Sequence, residues 1–289
     1  MPVKASVASF KLNDGTHIPK TAWGCGGAQF GSDVSVLAQE ALQAGIFHID
    51  GAQAYSNEQS LGVALKSSGI PRSAVYITTK LNRIPAGSNV RTTLEESLRK
   101  LDVAYVDMFL IHSPEGHRND HNYGGTKGTA LRSVWKQMEG VREAGLTRSI
   151  GVSNFTKTDL DIILAEATVV PSLNQIRYNA NLLSSSHETV ELCTSKGIRI
   201  ASYGGLAPIR YPGGGLTGAL ATLKEQAKWS KISDTQILIK WAHAKGIVAV
   251  TTTSKTQRMR EIAATLTDSV PELSPDEVRQ IDAAGEGRT

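Results

Sequence analysis

Three runs that read as β-strands end on residues able to move or steer a proton. Phe47-His48-Ile49-Asp50 ends on Asp50, Val75-Tyr76-Ile77-Thr78-Thr79-Lys80 on Lys80, and Met108-Phe109-Leu110-Ile111-His112 on His112. Tyr55 follows the first run by five residues. A phenol titrates near pH 10, too high for ready acid–base work at neutral pH. A nearby ammonium favours the phenolate, so Lys80 is expected to lower the Tyr55 value. A buried Lys80 needs a counter-ion, which Asp50 supplies. His112 can donate to, or orient, a carbonyl oxygen. The chemistry this set suggests is delivery of a proton by a phenol to a developing alkoxide. Singly each residue has a plainer reading, since strand-end lysines are ordinarily solvated or ion-paired. The four together are what point to catalysis.

Such residues meet only if the strands that carry them converge, and in a parallel barrel the C-terminal strand ends share one face. The pattern fits. Strands are expected at 21–26, 47–50, 75–80, 105–112, 149–154, 172–178, 198–204 and 247–253. Amphipathic stretches lie between them, at Val34–Leu42, Val90–Leu101, Leu131–Val141 and Leu160–Ala165. Strand–helix alternation at this spacing implies a parallel sheet with crossovers, and eight units suit a closed (β/α)₈ TIM barrel. Phe10 to Pro19 reads as an N-terminal β-hairpin turning at Asp14-Gly15, a dipeptide that supplies positive φ angles. The helical patterns at 217–229 and in the tail at 274–284 exceed the barrel count and are expected outside it. The tail opens Ser274-Pro275-Asp276-Glu277, a cap serine, a proline at the first helical position and first-turn acids. Residues 1–289 read as a single barrel domain.

Composition agrees with this reading. The chain has 289 residues, 40% hydrophobic and 20% charged, a globular balance; a barrel needs roughly 250. Two cysteines, Cys25 and Cys193, make no disulfide framework, which suggests a reducing, cytoplasmic setting. Met1-Pro2-Val3-Lys4 lacks a signal-peptide core, and no apolar run approaches the ~18 residues of a membrane span. The net charge of +4 is spread along the chain, without the basic run or aromatic platform of nucleic-acid binding. It suits an anionic small molecule.

The flanking residues add a resemblance. Asp50-Gly51-Ala52-Gln53-Ala54-Tyr55-Ser56-Asn57-Glu58 resembles the D-x-A-x-x-Y-x-N-E signature of the aldo-keto reductases. Ile77 to Lys80 and Asp107 to His112 look like that family's catalytic-lysine and catalytic-histidine strands. Gly151-Val152-Ser153-Asn154-Phe155 matches G-V-S-N-F, and Asn174-Gln175-Ile176-Arg177-Tyr178-Asn179 matches N-Q-x-x-Y-N. The resemblance implies a barrel that binds NADPH without a Rossmann fold and reduces a small-molecule carbonyl. Asp50, Tyr55, Lys80 and His112 would form its tetrad, with Tyr55 the proton donor. Ser153, Asn154 and Gln175 would hold the nicotinamide carboxamide, and Tyr203 would stack on the ring. Gly204 and Leu206 would lie near the pyrophosphate. Trp23, Ala28 and Tyr123 are the expected substrate contacts. No metal is implied, and monomer is the family default.

Three segments depart from the family pattern. Where many members read I-P-K-S-x-x-x-x-R-x-x-E-N, this chain has Val250-Thr251-Thr252-Thr253-Ser254-Lys255-Thr256-Gln257-Arg258-Met259-Arg260-Glu261-Ile262. Thr252 stands at the lysine position and Lys255 comes three residues later. Thr253, Ser254, Lys255, Arg258 and Glu261 remain the expected adenosine-end contacts, at the start of a helix suited to phosphate. This keeps NADPH over NADH. The T-T-x-S-K form resembles a fungal branch that includes conjugated polyketone, ketopantoyl lactone and α-keto amide reductases. On strand one, Trp23 precedes the glycines of Gly24-Cys25-Gly26-Gly27-Ala28, which implies a smaller pocket wall there. Tyr203-Gly204-Gly205-Leu206 replaces the usual Y-S-P-L; its glycine amides, or those of Gly213-Gly214-Gly215, would approach the pyrophosphate. His117 and His121 lie in a long Gly/Asn/His-rich loop and read as pocket or surface residues rather than metal ligands. Two other functions compete with carbonyl reduction: a Schiff-base aldolase using Lys80, and a non-catalytic nicotinamide-binding regulatory subunit.

Overall fold

The computed structural model of the protein describes residues 8–114, 128–211 and 215–286. Eight parallel strands close into a barrel: β3 (Thr21–Gly24), β4 (His48–Asp50), β5 (Tyr76–Leu81), β6 (Val106–Ile111), β7 (Thr147–Ser153), β8 (Leu173–Arg177), β9 (Arg199–Tyr203) and β10 (Val248–Thr251). They pair in chain order, with β10 returning to β3. Covered on both faces, such strands are apolar nearly throughout; all six residues of β6 are buried. The expected strands lie within a few residues of these. Most of the expected ends run past the ladder, because the residues beyond it leave the hydrogen-bonded register to form the loops at either end of the barrel.

The N-terminal hairpin is present as β1 (Ser9–Lys11) and β2 (His17–Pro19), antiparallel with Phe10 opposite Ile18. Its turn differs from expectation. Gly15 has φ +87°, but Asp14 is not in the positive-φ region. Asp14 works through its carboxylate instead, accepting from the Thr16 amide at 2.9 Å and the Thr16 hydroxyl at 2.7 Å. Leu12 and Ile18 pack onto Met108, Leu110 and Val248, so the hairpin closes the barrel end opposite the reactive strand termini.

Around the barrel run α1 (Ser35–Gln43), α2 (Glu58–Ser67), α3 (Val90–Leu101), α4 (Thr129–Glu143), α5 (Lys157–Leu164), α6 (Leu183–Ser195), the short α7 (Ala207–Arg210), α8 (Leu216–Lys224), α9 (Asp234–Ala244), α10 (Thr256–Ala264) and α11 (Pro275–Glu286). Among the described residues four starts carry the reciprocal bonds of a capping box: Asn89/Thr92, Thr156/Asp159, Ser233/Gln236 and Ser274/Glu277. Helices α2 and α6 do not stand out in the sequence. Gly62 interrupts α2, where a Cβ would lie 2.4 Å from the Lys100 carbonyl oxygen, so this glycine permits close packing on α3. In α6 only Cys193 is buried. The expected helix over 217–229 ends at Lys224. Trp229 instead sits buried in a turn, its indole N–H donating to Glu277 of α11 at 2.7 Å. Among the described residues no helix is long and apolar enough to cross a membrane.

Candidate active site

The C-terminal ends of β4 and β5 bring Asp50 and Lys80 together at the base of a cavity. Lys80 is fully enclosed and Asp50 is 2% exposed. The Lys80 ammonium donates to Asp50 Oδ1 and to the Gly51 carbonyl oxygen, the latter at 2.8 Å. Gln175, reaching across from β8, donates to Asp50 Oδ2 at 2.8 Å. A buried charge is tolerable only when paired and hydrogen-bonded on its remaining positions, and both members meet that condition. Burial works against the Lys80 charge, but Asp50 and Tyr55 more than offset it, and its pKa is raised. Lys80 is therefore an ammonium.

Tyr55 ends a single 3₁₀ turn, Gln53–Tyr55, that follows β4. Its ring centroid lies 5.1 Å from Lys80 Nζ and 5.5 Å from the His112 ring, at an interplanar angle of 82°. The turn is bolted down on both sides. Gln53 donates to Ser97 Oγ and the Thr93 carbonyl, and its Oε1 accepts from the Asn82 amide. Asn57 donates to the carbonyls of Cys25 and Gln29 at 2.9 and 3.0 Å. Glu58, buried, accepts from Thr79 Oγ1 at 2.7 Å. A Cβ at Gly26 would stand 2.7 Å from Tyr55 Cζ and 3.0 Å from its hydroxyl oxygen; the glycine makes room for the phenol. The expected lowering of the Tyr55 pKa is not what results. Burial raises it, and the opposing pull of Lys80 does not overcome that. The phenol is thus protonated at neutral pH, the state a donor requires.

His112 is driven by burial, then by the Lys80 charge, down to about 4. A neutral imidazole can donate from one ring nitrogen. Asn154, held at φ +61° just beyond β7, donates to the His112 carbonyl oxygen at 2.8 Å and to Ser153 Oγ at 3.2 Å, and accepts from the Tyr203 hydroxyl at 2.6 Å. Both of its N–H bonds are therefore in use and one oxygen lone pair remains. Gln175 keeps Oε1 and one N–H. Ser153 is buried, its hydroxyl on the Gln175 carbonyl at 2.8 Å.

The cavity measures about 760 Å³. Asp50 and Tyr55 line it, with Gln175, Tyr203, Gly204, Leu206, Thr253, Arg258 and Ala28 among the expected contacts. Ser153, Asn154, Ser254, Lys255 and Glu261 do not line it. Ser254 and Lys255 are exposed where α10 begins, and Glu261 points its side chain at Gln257 on the outside of α10. Trp23 is a correction: it is wholly buried, and its indole N–H donates to the Thr253 carbonyl at 2.9 Å. It braces the end of β10 rather than a substrate, and Gly24, Gly26, Gly27 and Ala28 form that wall. Thr252, at the departing position, lines the cavity and donates to the Gly24 carbonyl at 2.9 Å. Tyr123, His117, His121 and Gly213-Gly214 lie outside the described residues. Arg177 and Arg210 also line the cavity and were not anticipated. Strand alternation could have found Arg177, since it lies two residues after Gln175 and shares its face. Cys25 is buried, with its pKa raised well above the usual thiol value by that burial and by Asp50, so it is an inert thiol.

The model of the aldo/keto reductase family matches residues 22–286. An NAD/NADP-dependent indole-3-acetaldehyde reductase of Schizosaccharomyces pombe is 39% identical, covering 86% of this chain and 86% of its own length. An NADPH-dependent alpha-keto amide reductase of Saccharomyces cerevisiae is 30% identical, covering 87% and 83%. The crystal structure of an aldo/keto reductase from Brucella melitensis superposes with a TM-score of 0.79 at 29% identity, over 96% of this chain and 100% of that one. The chain belongs to the aldo/keto reductase family and is an oxidoreductase acting on aldehydes or ketones.

Proposed function

We propose that this chain, acting as one barrel domain, is an NADPH-dependent carbonyl reductase with Tyr55 as proton donor. The observation that carries the reading is the buried Asp50–Lys80 pair beneath a protonated phenol, with a neutral imidazole at the phenol's edge. The residues present fit a nicotinamide dinucleotide. Gln175 offers an amide acceptor and donor at one end, beside the Tyr203 ring. Gly204, at φ +69°, and Leu206 leave backbone open to the cavity between. Arg258 lines the far end, where Lys255 and Ser254 start α10; cations and a helix N-terminus suit phosphate. Asn154, its N–H groups taken, would contribute its remaining lone pair and hold Tyr203 in place.

A bound reduced nicotinamide supplies the hydride that adds to the carbonyl carbon. As the C=O π bond breaks, the oxygen gains negative charge, which His112 meets by donating from its neutral ring. Tyr55 passes its proton to that oxygen, giving the alcohol. Lys80 stabilises the phenolate left behind, and Asp50 balances Lys80 while the phenol is still neutral. The same pairing argues against a Schiff-base aldolase, because imine formation needs an uncharged amine and Lys80 is held as an ammonium.

The test is consumption of NADPH and NADH over a panel of aldehydes, ketones, α-keto lactones and α-keto amides. Tyr55→Phe should lower kcat by about 10²- to 10⁴-fold with cofactor binding retained. Undiminished turnover by that variant would remove Tyr55 from the donor role. Binding of dinucleotide with no turnover of any carbonyl would instead favour a regulatory subunit.

A further inference from the structure

The cavity has a charge pattern that its acid–base set leaves unexplained. Its described lining carries three arginines, Arg177, Arg210 and Arg258, and a single carboxylate, Asp50. Asp50 is already engaged by Lys80 and Gln175. None of the three guanidinium groups has an ion pair with a described residue, and Arg177 makes no side-chain hydrogen bond among them. Exposed, unsatisfied guanidinium groups on a concave wall suit an oxyanion, to which they present paired donors.

The three do not occupy equivalent places. Arg258 belongs to α10, at the end assigned to the adenosine. Arg210 ends α7, its guanidinium over the Tyr211 ring at 5.5 Å. Arg177 is the one at the reactive end. It ends β8, two residues past Gln175, and so lies one side-chain period, about 7 Å, further toward the mouth on the same face. In the β8–β9 register it stands beside Tyr203. Next to it, Gly204 has no side chain; a Cβ there would contact the Arg177 stem at 3.5 Å. The stem thus lies along bare backbone with its charged tip free to enter the cavity.

We propose that Arg177 is a specificity-determining residue that receives a carboxylate on the carbonyl substrate, so that the preferred substrates are oxo-acids: aldehydes or ketones that also carry a carboxylate. This rests on the carbonyl-reductase reading above. The residues next to Arg177, Gln175 and Tyr203, belong to the nicotinamide end, where the carbonyl must sit. The cofactor's phosphates are assigned to Gly204, Leu206, Lys255 and Arg258, and of these Gly204 lies against the Arg177 stem, which is why cofactor affinity is measured beside substrate preference. No additional bond is made or broken; Arg177 selects and orients.

The experiment compares 4-carboxybenzaldehyde with its neutral methyl ester, in the wild type and in Arg177→Gln and Arg177→Lys, alongside the Kd for NADPH measured without substrate. The wild type should favour the carboxylate. Arg177→Gln should lower the carboxylate-to-ester ratio of kcat/KM by about 10- to 100-fold, the loss of a charged hydrogen-bonded contact, and Arg177→Lys should restore part of it. Three results would overturn the proposal: a wild type that does not discriminate, a ratio unchanged by Arg177→Gln, or a Kd for NADPH that rises while both aldehydes lose equally. The last would give the guanidinium to the cofactor. If the ester is reduced and only the ratio fails, the carbonyl-reductase reading stands. If neither aldehyde nor any other carbonyl is turned over, that reading fails and takes this one with it.

Discussion

Replacing Lys80 by Met and Asp50 by Asn together should cost less stability than the two single replacements summed. Lys80→Met leaves a carboxylate that is 2% exposed with one remaining donor, Gln175. Asp50→Asn leaves an enclosed ammonium facing only neutral acceptors, the Asn amide oxygen and the Gly51 carbonyl. Stranding one member of a buried pair costs about 3–5 kcal/mol. Two independent losses would sum to about 6–10 kcal/mol, whereas removing both charges with near-isosteric replacements strands neither. The double variant Asp50→Asn/Lys80→Met should therefore fall short of the sum by at least about 3 kcal/mol. Urea unfolding followed by tryptophan fluorescence reads this directly, since Trp23, Trp135, Trp229 and Trp241 are all buried. Activity should not follow stability. All three variants should lose about 10²- to 10⁴-fold in kcat, so the double variant folds yet stays inactive. If the double cost equals the sum of the single costs within about 0.5 kcal/mol, the pair is not a coupled unit and the account of Lys80 is wrong.

Gly26→Ala places a methyl group 2.7 Å from Tyr55 Cζ; kcat should drop by about 100-fold, the effect of a displacement of an ångström or so, and a variant as fast as wild type would show that the phenol tolerates a different seat. His48 and His243 are pushed by burial to about 4 and about 3. Both folded values lie below the ordinary imidazole value of about 6.5, so the unfolded chain binds protons that the fold refuses. Their contribution to stability is complete above about pH 6.5 and declines as pH falls toward 4, by up to about 1.4 kcal/mol per pH unit for each histidine. Urea midpoints between pH 7.5 and 4.5 should show the decline, and His48→Gln should flatten it; an unchanged slope would mean other groups set it.

The barrel and its reactive set were readable because each strand is a short apolar run whose last polar residue is the informative one. Asp50, Lys80 and His112 stand out against such a background. Tyr55 was readable from its distance to Asp50. What escaped was direction. Trp23 sits next to the glycines of the cavity wall, but a strand turns successive side chains to opposite faces, and the indole reaches back to Thr253. The Tyr55 pKa escaped for a similar reason, since proximity to Lys80 is inferable from the strand ends but the depth of burial is not. Arg177 occupies a variable position of the N-Q-x-x-Y-N segment, so the motif carries no signal for it. Helix α2 went unnoticed because Gly62 looks like a breaker until the Lys100 carbonyl is seen against it.

The closed lower end of the barrel has a consequence for the order of events in the proposed reaction. The hairpin shuts that end with Leu12 and Ile18, and Lys80, Asp50 and Cys25 are enclosed below the phenol. In the proposed reaction each turnover would spend the Tyr55 proton, and the groups beneath the phenol are buried while the cavity opens above it. Reloading from water would then use the mouth, the same opening that releases the alcohol, and the donor would be recharged after the product leaves. Recharging and emptying the site are successive uses of one passage, and an alcohol that lingers holds the next proton outside.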